Sequence, residues 1–110
     1  MTYPILHFRE PLDERIAWET VSKGWYDGVT VEIENGSRYP VFFYDPGRLA
    51  QDLQSEVQGI EKGWGKPCIA EIGMIVIPEL SEANMRIAIQ QLYKDGWFDS
   101  FKPIPEAPQD

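Results

Sequence analysis

The chain has 110 residues, 43% hydrophobic and 13% aromatic, enough for one domain whose core needs neither a disulfide nor a metal to hold it. Eighteen Asp and Glu against ten Lys and Arg give a formal net charge of -8, which argues against nucleic-acid phosphate and anionic membrane surfaces as partners and leaves room for a basic protein, or for a second copy of the chain. Cys68 is the single cysteine, so no internal disulfide forms, and the longest apolar run falls far short of the about 20 residues that span a bilayer; a cytoplasmic, reducing setting is expected.

In chain order, Tyr3 to Phe8 is a short aromatic and aliphatic run that reads as a strand, with Pro4 near its start where a missing amide does least harm. From Leu12 to Lys23 helical and alternating spacings compete. Gly24 tips the balance towards a helix, because glycine after a last helical turn is the usual left-handed C-terminal cap. The same Gly-Trp signature recurs at Gly63-Trp64 and Gly96-Trp97, so three helices are expected to stop alike, each followed by a bulky residue that packs back on the last turn.

The stretch from Val29 to Leu53 organises the rest. Val29, Val31 and Ile33 alternate with Thr30, Glu32 and Glu34, the period of a half-buried strand. Asn35-Gly36 supplies a hairpin turn, Tyr39 to Tyr44 returns, and Asp45-Pro46 pairs a good N-cap with the residue best suited to a first helical position. The helix that starts there should run to about Lys62. Its stripe of Leu49, Leu53, Val57 and Ile60 is expected to lie on the sheet, with Leu53 facing Ile75 and Gly59 weakening the last turn.

Cys68 to Ile77 is nearly continuous in apolar character and reads as a central strand, which Gly73 bulges or splits. Ser81 is the expected N-cap of a third helix with Met85, Ala88, Ile89 and Leu92 on its buried side. The order is then β-α-β-β-α-β-α, a single α+β domain over residues 1–102. It should form a two-layer α/β sandwich, with the hairpin and central strand as a sheet and the helices on one face. Residues 103–110 form a Pro-rich tail.

No motif assigns a chemistry. His7 is the only histidine, and its weak catalytic pairings are with Glu71, the one charge inside the apolar run, or with Asp45; a Cys68–His7 dyad is weaker still, because Cys68 opens that run as an inert small hydrophobe would. One His and one Cys do not make a structural zinc site, Asp95 and Asp99 lack the ligand spacing of an EF-hand, and Gly63-Trp64-Gly65-Lys66 lacks the context of a phosphate loop, so no metal and no cofactor are expected. The hairpin carries more aromatic residues than one face can hide. Trp25 and Tyr39, with the carboxylates Asp27 and Glu32, are the expected binding surface of a non-catalytic interaction domain, an inhibitor, immunity-type or adaptor protein. A small enzyme built on His7 and a structural homo-oligomer subunit are the alternatives.

Overall fold

The computed structural model describes residues 2–100, and the expected C-terminal tail lies outside them. Its elements are β1 (Ile5–Phe8), α1 (Glu14–Lys23), β2 (Trp25–Glu32), β3 (Arg38–Tyr44), α2 (Pro46–Gly59), β4 (Met74–Val76) and α3 (Glu82–Lys94), closed by a 3-10 turn at Trp97–Ser100. This is an α+β fold in the expected order and on the expected two-layer plan. Among the described residues the strands form one mixed sheet in the order β1-β2-β3-β4, antiparallel at the first two junctions and parallel between β3 and β4, as a crossover through α2 requires.

Local chemistry sets the helix starts. Asp13, Asp45 and Ser81 each accept a hydrogen bond from the backbone N–H three residues on, so each satisfies an amide that the helix itself leaves open. Gly24 ends α1 at φ +75°, and a Cβ there would come within 2.6 Å of the Asp45 carboxylate, so the α1 C-cap and the α2 N-cap meet where only glycine fits.

The core lies between one sheet face and α3. Register places Leu6 opposite Val31, Val29 opposite Val41, Val31 opposite Tyr39 and Phe43 opposite Ile75, so their side chains share a face, and Met85 and Ile89 of α3 complete a cluster with Leu80 and Phe98. Residues between these along each strand, from His7 and Thr30 to Phe42 and Val76, point to the opposite face, and none of them is buried.

Two expectations are corrected. The stretch from Cys68 to Ile77 is neither one strand nor central: only Met74–Val76 pairs, at the sheet edge, and Ile72 stands 81% exposed. Gly73 is the cause. Its φ of +87° turns the chain just before β4, and a Cβ there would meet the Pro40 carbonyl at 2.6 Å, so the backbone joins the sheet only after this point. Apolar character in a run of residues does not by itself supply the backbone partners of a strand.

The α2 stripe, second, does not lie on the sheet. Leu53 is 39% exposed, Val57 48% and Ile60 46%, so Leu53 does not sit buried against Ile75, although the parallel crossover exists. Polar contacts orient the helix instead. Arg48 donates to Asp52 at 2.9 Å and to the Lys23 carbonyl at 3.2 Å, and its guanidinium lies 5.9 Å from the centre of the Trp25 ring. The helix also ends at Gly59 rather than Lys62, with the Trp64 ring folded against the space where a Gly59 side chain would be.

Candidate functional site

The sheet face turned away from α3 is the natural place to look for function, because strand alternation sends there every side chain that the core does not use. At its β1 end, His7 Nε2–H donates to Glu32 Oε1 at 2.8 Å, and Arg38 Nη2 donates to the same oxygen at 3.3 Å. The register explains this: Glu32 lies opposite both Ile5 of β1 and Arg38 of β3, which brings its carboxylate between the imidazole and the guanidinium. The arrangement fixes the imidazole by one nitrogen.

A β-bulge extends the site. Tyr26 pairs with Phe43 and Val29 with Val41, so Asp27 and Gly28 together oppose Phe42 alone, and the extra residue throws Asp27 outwards. Arg9 Nη1 donates to Asp27 at 3.1 Å and Arg9 Nε to Glu10 at 3.1 Å; hydrogen bonds to Glu10 first and Asp27 second hold the guanidinium pKa above its ordinary value. At the β4 end the face is apolar and aromatic, with Phe42 and Tyr44 edge to face at 5.9 Å beside Met74 and Val76. Burial raises the Tyr44 phenol pKa, and its hydrogen bond to Asp52 of α2 adds to the effect.

Of the four residues expected to form the binding surface, three are accessible in part or in full: Trp25 beneath Arg48, Asp27 on the bulge and Glu32 in the His7 network. Tyr39 is not. It is 6% exposed, packed against Phe98 with ring centres 5.1 Å apart, because its register opposite Val31 turns it into the core and away from any exposed binding surface.

The weak catalytic candidates are not brought together. His7 sits on the β1 edge, Glu71 is exposed beside β4 at the other edge, where it lines a hollow with Tyr44 and Asp52, and Asp45 is occupied as the α2 cap. Cys68 is exposed in the segment between α2 and β4 rather than opening a buried strand. Among the described residues no group of three His, Cys, Asp or Glu side chains is placed to hold a metal ion, and no helix is long and apolar enough to cross a membrane.

Sequence reasoning missed Arg38, Phe42, Met74 and Val76 as members of one face. Arg38 and Phe42 alternate along β3 with Tyr39, Val41 and Phe43, which the structure turns into the core, whereas Met74 and Val76 join the face only through the parallel pairing of β4. No family model, curated protein or solved structure matches this chain.

Proposed function

We propose that the chain is a protein-binding module, a non-catalytic interaction domain of the inhibitor, immunity or adaptor kind, whose partner docks on the sheet face opposite α3. One observation carries this reading. The sheet buries one face under α3 and leaves the other with none of its side chains buried, although that face holds Phe42, Tyr44, Met74 and Val76 next to the charged His7–Glu32–Arg38 group. Aromatic residues, Met and Arg are the side chains enriched in the cores of protein interfaces, and a charged group beside an apolar patch is the usual interface plan. The acidic balance of the chain, with Asp27 and Glu32 at this face, favours a basic protein, and the lone thiol Cys68 suits a cytoplasmic setting.

The test is affinity capture from the native host with the wild-type chain and with Phe42→Asp, each first shown to have the same far-ultraviolet circular dichroism. A defined protein retained by the wild type and lost with Phe42→Asp supports the reading. Identical retained proteins for both chains would remove this face from binding.

A further inference from the structure

We infer that the cleft between α1 and the β2 bulge is a binding site for a small ammonium group, either a free alkylamine or the tip of a lysine side chain, with the Tyr26 hydroxyl as its acceptor. Tyr26 pairs with Phe43 on the core side of the sheet, and α1 closes the cleft there, so this inference and the reading of the opposite, Phe42 face fail separately.

The observation behind it is an oxygen with nothing to bond. Tyr26 is 5% exposed, and among the described residues its hydroxyl is the one buried side-chain polar group without a hydrogen-bond partner. A buried hydroxyl left unpaired costs free energy that phenylalanine would avoid, so its presence calls for a partner from outside the chain. Gly28 gives it room. That glycine is not at a positive φ, yet a Cβ there would come within 2.5 Å of the Tyr26 oxygen, so the bulge is built around a hydroxyl to which it offers no bond.

The cleft encloses about 80 Å³ between Trp25 and Tyr26 of β2 and Ile16 and Thr20 of α1, several times the roughly 10 to 15 Å³ that one water needs. Charge decides what enters. Glu10, Glu19 and Asp27 line it against Arg9 and Lys23, but Glu19 is paired with Arg15 and Lys23 is exposed. At the hydroxyl itself the balance is negative, because Glu10 raises the phenol pKa more than Arg9 lowers it and Asp27 raises it further. Thr20, the other buried hydroxyl on this wall, donates to the Ile16 carbonyl at 2.8 Å and has only lone pairs left. Negative potential and free acceptors select a cation that carries N–H donors. Arg9 shows the preference from within the chain, since its guanidinium lies 5.8 Å from the centre of the Tyr26 ring while bonding Glu10 and Asp27. It is also the group that must move aside for a ligand, and with a side chain 60% exposed it swings into solvent at little cost.

Titration of the full chain with n-butylammonium, a lysine side chain without its backbone, at fixed ionic strength and followed by the amide NMR shifts of Thr20, Tyr26 and Gly28, should show saturable binding with a millimolar Kd, the range open to so small a ligand. Sodium and acetate at the same concentrations should not bind. Tyr26→Phe keeps the ring and should bind at least about tenfold more weakly, as one hydrogen bond to a charged donor implies, whereas Arg9→Ala should bind several-fold more tightly because the competing guanidinium is gone. Acetyl-lysine methylamide, blocked at both backbone ends, separates the two sources: binding equal to that of butylammonium assigns the cleft to a partner's lysine, and its exclusion assigns the cleft to free amines. Equal affinity in wild type and Tyr26→Phe overturns the proposal, as does the absence of a saturable shift with butylammonium or a Tyr26-dependent response to acetate. A water bonded to the Tyr26 hydroxyl in crystals soaked with butylammonium overturns it too.

Discussion

Tyr26 sets the sharpest condition on a single side chain. Its ring is buried beside the bulge, and its hydroxyl has no hydrogen-bond partner among the described residues, a cost that a buried polar group ordinarily avoids. Burial first, and the negative charge of Glu10 second, raise its pKa above the usual 10, so the folded state holds the phenol proton more tightly than the unfolded chain does. A raised folded pKa contributes stability that is fully present below the unfolded value and is lost as pH rises through the folded one. Tyr26→Phe is therefore expected to raise the unfolding free energy by about 1 kcal/mol at pH 7 and to flatten the fall in stability above about pH 10, both read from urea titrations across that range. Asp45 gives the complementary case. Its carboxylate accepts from the Arg48 amide at 2.6 Å, so Asp45→Ala should cost about 1 kcal/mol through the lost cap. Caps of this kind are legible in sequence because donor and acceptor lie three residues apart, and Asp13, Asp45 and Ser81 all follow that rule.

The two long helices carry similar apolar stripes and use them differently. Met85 and Ile89 of α3 are wholly buried, whereas Leu53 and Val57 of α2 face outwards. Ile89→Ala should thus cost about 2 to 5 kcal/mol in the core, while Leu53→Ala should cost less than about 0.5 kcal/mol, both measured as shifts of the denaturant midpoint. Amphipathic periodicity identifies a helix and its stripe; it does not say which side of the helix meets the domain. In α2 that choice falls to Arg48, whose contacts with the Lys23 carbonyl and the Trp25 ring join positions more than 20 residues apart and leave no local signature. The same limit applies to β4. Met74–Val76 and the exposed Ile72 are alike in hydrophobicity, and the positive φ of Gly73 separates them.

Over the molecule as a whole, the acidic residues crowded in the first third of the chain do not form a bare negative surface. Arg9 neutralises Glu10 and Asp27, Arg15 pairs with Glu19 at 3.2 Å, His7 and Arg38 share Glu32, and Glu34 accepts from the Tyr93 hydroxyl. Steering of a basic partner then rests on net charge more than on one patch. With a partner in hand, the association rate should fall as salt rises, and Asp27→Lys, exposed on the bulge, should slow association several-fold at low ionic strength without changing thermal stability, as followed by stopped flow and calorimetry. An association rate indifferent to both would leave the docking face with only its apolar half. The sequence by itself determined the α+β class, the element order, the hairpin with its turn, the Asp45 and Ser81 N-caps, the Gly24 C-cap and the core residues of β2 and α3, because each depends on periodicity or on neighbours within a few positions, whereas the expected glycine caps at Gly63 and Gly96 gave way to Ile60 and Asp95. Only the tertiary structure decided that Tyr39 is buried, that His7 meets Glu32, that β4 lies at the edge and that the α2 stripe faces away from its own domain, since each of these is set by register or by contacts between residues distant along the chain.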